Sequence, residues 1–340
     1  MATQKDVAKL ANVSFITVSR VINNMGNVKK ETRLRVEKAI KELNYYPNTI
    51  AQGLNSNKIK TLAIQTPLPV ESSIEGTSYY RRILIGIEKY CILHGYDLLL
   101  SSQRAGKGEL DFLKPFYERK ADGIAIIASR PNTKQLESIS KDNIPCVIVG
   151  DRHPSIKLNY IDTENFQGMC NAAEYLISRG HRRIGYIKGN QENQNAVDRF
   201  SGFLEAMRVE KIKIDPTLIF DGDYTKESGG EALKYFIKLK EPPTAVISST
   251  DLMAIGFYEE CVTMGINIPD DISIIGFDGH EICSYTNPQL ATMYQPLEDM
   301  GMEAAKLLIN QIEKNYNEPQ HLIFPVTLHP GLSVKDLTRH

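Results

Sequence analysis

The spacing of apolar positions changes near residue 60. Beyond it, short apolar runs recur: TLAIQ (61–65), DLLLS (97–101), GIAIIAS (123–129) and CVIVG (146–150). A second set follows: IGYIKG (184–189), LIFDGD (218–223), AVISS (245–249) and ISIIGFD (272–278). Runs of this length read as buried strands. Helical spacing fills the intervals 80–94, 109–120, 164–179 and 225–240. Strands alternating with helices indicate α/β architecture with parallel sheets, and two similar sets predict two lobes of one kind. Ligands in such sheets sit beyond the carboxyl ends of the strands, so facing lobes would share a cleft.

The first sixty residues follow a different pattern. Thr3-Gln4-Lys5-Asp6 fits a capping box, and Val7, Ala8, Leu10 and Ala11 supply a short apolar face. Asn12-Val13 breaks the helix, and Ser14 suits the N-cap of a second one over 15–23. Val18, Val21 and Ile22 then face inward. Phe15, Ile16, Ser19, Arg20 and Asn23 are left to the exposed side and the N-terminal end. A third helix over 31–43 turns Leu34, Val36, Ile40 and Leu43 inward and Arg33, Arg35, Lys38 and Lys41 towards solvent. Two short helices joined by a tight turn form a helix-turn-helix, whose second helix meets base edges with its first residues. Arg20 suits a bidentate contact to guanine. Phe15 and Ile16 fit either a core or thymine methyl groups. In the polar stretch NTIAQGLNSNKIK (48–60), Ile50, Ala51 and Leu54 form one apolar stripe of a two-turn helix. A helix so short is unstable alone and needs another surface to cover it.

Charge sharpens this division. Residues 1–60 hold eleven Lys/Arg and four Asp/Glu, a net +7, while the other 280 residues hold 29 and 37, a net −8. A compact module of consistent positive charge suits a polyanion. The 340 residues allow two or three domains, and 42% apolar with 24% charged residues is ordinary for a globular protein. No apolar run reaches the roughly 18–20 residues of a membrane span, and MATQKDVAKLANV is too polar for a signal peptide. Five scattered cysteines without C-x-x-C spacing read as reduced thiols of a cytoplasmic protein. The chain lacks G-x-G-x-x-G after a strand, G-x-x-x-x-G-K-[ST] and G-x-S-x-G, and RAGKGEL (104–110) has the wrong spacing for a phosphate loop. The seven histidines lack zinc spacing, and His181, just before a strand, reads as structural. No catalytic residue, metal or cofactor is expected.

The segments DVAKLANVSFITVSRVINN, ETRLRVEKAIKELNYYPNTIAQGL, RGHRRIGYI, PTAVISSTDLMAIGFY and IPDDISIIGFDGH resemble the lactose/galactose repressor (LacI/GalR) family, in one consistent order along nearly the whole chain. The resemblance implies a three-helix DNA-binding module (1–46), a hinge helix and linker (47–60) and a two-lobed, periplasmic-binding-protein-like core (61–340). Its lobes would comprise about 61–160 with 293–322, and about 161–290 with 323–340. Phe15, Ile16 and Arg20 would meet base edges, while Thr17, Ser19, Asn23 and Tyr45 would help with phosphates. Ile50, Ala51 and Leu54 would face the minor groove, with Leu54 as a wedge. Gln52-Gly53 and Asn55 depart from the Arg-Ser and following cation common in the family.

At the strand ends, Asp223-Tyr224, Thr250-Asp251 and Phe277-Asp278 mix carboxylates with aromatic rings, which suits a sugar. Each Asp also fits a helix N-cap, most plainly Asp251. The resemblance implies effector contacts at Tyr79, Tyr80, Arg199, Tyr224, Asp251, Asp278 and Gln295, and puts a further polar contact at Gly150 or Asp151. Arg81, Arg82 and Arg199 would allow an anionic sugar. The function implied is that of a homodimeric repressor of carbohydrate-utilisation genes. It would bind a near-palindromic double-stranded operator under control of a small sugar-like effector. A transport sugar-binding protein would want a signal peptide and no basic module, and a Rossmann-like enzyme would want a nucleotide fingerprint.

Overall fold

The computed structural model describes residues 2–23, 25–26, 28–46, 58–66, 78–102, 113–127, 133–153, 156–314 and 318–338. The chain divides at Lys60/Thr61 into two compact units. The first holds three helices, α1 (Gln4–Ala11), α2 (Phe15–Ile22) and α3 (Lys30–Glu42). Their core is Val7, Ala8, Ala11, Val18, Val21, Val36 and Ala39. Leu10 and Leu34, expected inside, are exposed. At 100° per residue, Leu34 lies about 200° from Val36, on the far side of α3, and Leu10 sits on the flank of the Val7/Ala8/Ala11 face.

The second unit holds two six-stranded sheets. The first contains β1 (Thr61–Thr66), β2 (Asp97–Ser102), β3 (Gly123–Ile127), β4 (Cys146–Val149) and β5 (Asn159–Thr163). Its helices are α4 (Ser78–His94), α5 (Lys114–Tyr117) and α6 (Thr133–Lys141). The chain then crosses to α7 (Asn165–Ser178), β6 (Ile184–Lys188), α8 (Gln194–Val209), β7 (Ile219–Asp221), α9 (Lys226–Phe236), β8 (Ala245–Ser248), α10 (Asp251–Met264), β9 (Ser273–Asp278) and β10 (Ala291–Tyr294). It returns to the first lobe as α11 (Leu297–Lys314) and β11 (His321–Phe324), and ends in the second sheet as β12 (Thr327–His329).

The sheets run β2-β1-β3-β4-β5-β11 and β7-β6-β8-β9-β10-β12. All neighbours are parallel except β10 and β12. Each order reverses direction beside its first strand, which leaves a crevice at the carboxyl ends there. In the second sheet that point lies between β6 and β8, and the residues following them are 189–193 and 249–251. The lobe limits expected at 160, 293 and 322 shift slightly. β5 and β11 stay paired through Thr163 and Phe324, and β10 stays in the second sheet through Tyr294. Of the helix expected over 109–120, the structure shows Lys114–Tyr117, after which Arg119 turns left-handed; residues 109–112 lie outside the described residues.

Both faces of each sheet are covered by apolar clusters. All five cysteines are buried and free. Among the described residues no helix is long and apolar enough to cross a membrane. α4 and α11 approach closely through two glycines. A Cβ on Gly86 would meet the Glu298 carbonyl oxygen at 1.9 Å, and one on Gly301 would meet that of Ile83 at 2.1 Å. Gly86→Ala gains about 1 kcal/mol of helix propensity but overpacks backbone against backbone. The net expectation is a loss of about 1–3 kcal/mol, read as a lower urea midpoint for the second unit.

Candidate DNA-binding face and inter-lobe site

The DNA-face residues sit on a helix fixed at both ends of its turn. Thr3 and Asp6 form the expected capping box on α1, with Thr3 N donating to Asp6 Oδ2 at 2.8 Å and Asp6 N donating to Thr3 Oγ1 at 3.3 Å. Asn12, left-handed at φ 51°, closes that helix. Ser14 caps α2 by accepting from the Thr17 amide at 3.1 Å, and its hydroxyl also meets that of Thr17 at 2.8 Å. With Val18 and Val21 drawn into the core, Phe15 is 50% and Ile16 62% exposed, so neither is a core residue. Arg20 and Asn23 are exposed beside them, and Asn23 Nδ2 donates to Ser19 Oγ at 3.3 Å. Tyr45 packs partly against the small core. Ile50, Ala51 and Leu54 lie outside the described residues.

Arg199 organises the inter-lobe site. Its position on α8 buries it to 4% exposure. Nε donates to Asn165 Oδ1 at 2.8 Å, and Nη1 to the Ser249 carbonyl at 2.6 Å. Nη1 also lies 3.5 Å from Asp278 Oδ1, and the guanidinium stacks 3.9 Å above the Phe277 ring. Gln295 donates to Asp278 Oδ1 at 2.7 Å and accepts from Thr163 Oγ1 at 2.8 Å. One hydrogen-bonded chain thus joins two of the three crossings to the end of β9. The Tyr79 and Tyr80 rings meet edge-on at 5.6 Å. Burial pushes both phenols up, that of Tyr80 to about 12, and the Asp278 carboxylate adds to the effect on each. The Tyr224 hydroxyl accepts from Asn193 Nδ2 at 3.4 Å.

Asp251 has another role. Its neighbour Thr250 is the N-cap of α10. The Asp251 carboxylate, fully buried, accepts from the His280 amide at 2.7 Å and the Thr292 hydroxyl at 2.6 Å. It ties α10 to the loop after β9, and Thr250, not Asp251, is the N-cap. Asp223 likewise stands beside a capping threonine, Thr225, and accepts from its amide and hydroxyl. Both candidates for the position left open, Gly150 and Asp151, make contacts within the protein. The Tyr79 hydroxyl packs over Gly150, whose φ is 81°, and Asp151 Oδ1 accepts from the Arg152 amide at 2.8 Å. His181 is buried between Thr244 Oγ1 and the Lys335 carbonyl.

Two buried groups escaped the sequence reading. Asp162 accepts from the Thr163 amide and Asn165 Nδ2, both at 2.8 Å. Its signal was an acid inside the otherwise buried strand NYIDT. Ser249 follows β8, with its carbonyl on Arg199. Burial raises the Asp162 and Asp278 carboxyls to about 6, outweighing the nearby Arg199. The lobes are also tied directly. Arg82 on α4 donates to the Gly279 carbonyl at 2.9 Å and the Tyr294 hydroxyl at 2.8 Å. Asn195 Nδ2 donates to the Gly150 carbonyl at 2.8 Å, and Arg152 pairs with Asp198. Among the described residues no three His, Cys, Asp or Glu side chains gather as metal ligands.

Two family profiles match the chain: "Bacterial regulatory proteins, lacI family" over residues 3–48 and "Periplasmic binding protein-like domain" over 173–334. The HTH-type transcriptional repressor PurR of Escherichia coli O1:K1 is 36% identical over 344 aligned positions, covering 98% of this chain and 95% of that protein. A solved complex of the transcriptional regulator CelR with cellobiose superposes with a TM-score of 0.75 at 28% identity, covering 98% of this chain and 100% of that one. The Lac repressor dimer bound to operator and the anti-inducer ONPF gives 0.85 at 24% identity over 98% and 99%, a likeness of fold.

The raised carboxyls make a stability prediction. The folded-state value of Asp162, about 6, exceeds its unfolded value of about 3.9. Its favourable contribution is therefore complete below pH ~4 and lost as pH rises through ~6. Asp162→Asn keeps an acceptor for Thr163 and Asn165 and removes the buried charge. It should stabilise the protein by about 1–3 kcal/mol at pH 7.5 and by roughly half as much at pH 5. Urea midpoints of native and variant at the two pH values check this. Buried His181, held down by desolvation, works in the opposite sense but cancels in the comparison.

Proposed function

The chain belongs to the lacI family of bacterial regulatory proteins, and on that premise we propose that it represses carbohydrate-utilisation genes under control of a small sugar-like effector held between its core lobes. It acts in the cytoplasm as a homodimer on a near-palindromic operator, not as an enzyme. The observation that carries the DNA half is the acid-free face of α2, where Phe15 and Ile16 stand exposed on a helix whose opposite side is fully committed to the core. In this reading Phe15, Ile16 and Arg20 meet base edges. Thr17, Ser19, Asn23 and Tyr45 support the phosphate contacts that set register without specifying sequence. The two modules of a dimer address two half-sites. Residues 48–55 form the hinge helix on DNA, with Ile50, Ala51 and Leu54 covered by the minor groove and Leu54 as the wedge.

The effector half rests on the convergence of Tyr79, Tyr80, Arg199, Tyr224, Asp278 and Gln295 at the strand ends, with Asp251 supporting them from behind. Among the described residues Arg199 uses Nε and Nη1 within the protein, and Nη2 is the nitrogen it offers a ligand. CelR, a relative of the same fold, is seen with cellobiose, and this supports a carbohydrate here. An effector that binds one lobe arrangement better than another shifts operator affinity, and operator DNA must shift effector affinity by the same factor.

Fluorescence anisotropy with a DNA fragment from the chain's own upstream region tests the DNA half. Native protein should bind it more tightly than random DNA, with steep salt dependence. Arg20→Ala should cost about 1–3 kcal/mol and relax preference at one base pair per half-site. Equal binding to random DNA would sink the repressor reading. Gly53→Ala should favour the hinge helix by about 1 kcal/mol, roughly fivefold in operator affinity per hinge, and blunt effector release. Unchanged affinity and response would show that hinge order is not the control point.

A further inference from the structure

We infer that Arg82 is a positioning residue: from the first lobe it holds the backbone turn that presents Asp278 in the second, so that this carboxylate is set in place only while the lobes stand together. This role rests on the effector reading above and adds to it a way for lobe movement to act on the site.

The turn after β9 is strained. Asp278 has a φ of 126° and Gly279 a φ of 73°. Glycine adopts such values readily, whereas an aspartate stays there only where its surroundings over-determine it. Space also keeps position 279 a glycine, since a Cβ there would lie 2.5 Å from Tyr294 Cδ2 and 2.9 Å from Tyr294 Cα. Hydrogen bonds then fix the turn from its own side. The Gln295 amide donates to the Asp278 carbonyl at 3.2 Å. The Gly279 amide donates to Thr292 Oγ1 at 3.2 Å, and the His280 amide to Asp251 Oδ2 at 2.7 Å. A further restraint comes from the opposite lobe. Arg82 Nη1 donates to the Gly279 carbonyl at 2.9 Å, and Nη2 to the Tyr294 hydroxyl at 2.8 Å.

Arg82 has the footing for this. It stands on α4 next to Ile83, which is wholly buried in the first-lobe core. One turn further on, Gly86 meets the backbone of α11. Three residues before Arg82, on the same side of the helix, is Tyr79. A first-lobe shift that moves Tyr79 therefore carries Arg82 with it. The planar guanidinium bonds two acceptors at once, a geometry that a lysine ammonium does not reproduce. Withdrawing it removes the cross-lobe donor from the Gly279 carbonyl and leaves the strained Asp278 with one restraint fewer. The Arg82 cation, which by sequence alone would allow an anionic sugar, is committed to the protein's own backbone and to Tyr294.

Hydrogen exchange of the full-length protein, read by mass spectrometry, tests this without a ligand. Arg82→Ala places a good helix former on α4. It should speed exchange of the segment 278–281 about tenfold or more and that of β8 much less, whereas a general loss of stability would speed both alike. Arg82→Lys should restore part of the protection. Tyr294→Phe should speed the same segment to a smaller extent and add little on top of Arg82→Ala, because the two changes remove parts of one interaction. Native protection of 278–281 in Arg82→Ala, or equal acceleration in β8, overturns the role given to Arg82. The effector reading is checked separately by the melting temperature of native protein with D-ribose, D-glucose and cellobiose, since a ligand that binds only the folded state raises it. If none of the three raises it, that reading falls, while the exchange result still decides whether Arg82 holds the turn.

Discussion

The guanidinium of Arg199 cannot shed its proton, yet the fold removes it almost wholly from water. A charge in that position persists only if nearly every polar atom around it is committed to it. The structure brings those atoms from distant places: Asn165 just past the first crossing, the Ser249 carbonyl after β8, Asp278 at the end of β9 and the face of Phe277 beside it. Gln295 and Thr163 extend the network into the segments where the chain changes lobes. The positions of two strand ends and two crossings are therefore tied to one cation.

Around this hub the two lobes are held by contacts of a weaker kind. Arg81–Glu281 is mostly exposed, and Arg152–Asp198 and Arg82–Tyr294 are only partly buried. Exposed ion pairs contribute little, commonly under about 1 kcal/mol each. The centre is thus buried and densely hydrogen-bonded, and the contacts between the lobes around it are more exposed. Such an arrangement suits a site whose occupant biases one lobe disposition over another. The separate N-terminal unit solves a smaller problem. Its core is built of Val and Ala, so caps at Thr3, Asn12 and Ser14 carry much of the definition of α1, its end and the start of α2. Keeping Phe15 and Ile16 out of that core leaves apolar surface where a second macromolecule can use it.

The sequence by itself determined what depends on near neighbours. Capping boxes, helix periods and apolar runs act over one to four residues, so α1, α2, most of the α/β alternation and the charge split at residue 60 were legible before any coordinates. The exposed character of Arg20 and Asn23 followed from the same period. Leu10 and Leu34 were the failures there, since a helix with a narrow buried stripe leaves some of its leucines outside. Side-chain partnerships at the inter-lobe site were decided by the tertiary structure alone. The carboxylate of Asp251 meets Thr292, and the guanidinium of Arg82 meets Tyr294, 212 positions away. Local spacing could nominate Asp251 as a cap but could not show that Thr250 already served. It also could not show that one oxygen of Asp162 would lack a hydrogen-bond partner among the described residues, because that depends on which strands stand side by side and which donors they bring within about 3 Å.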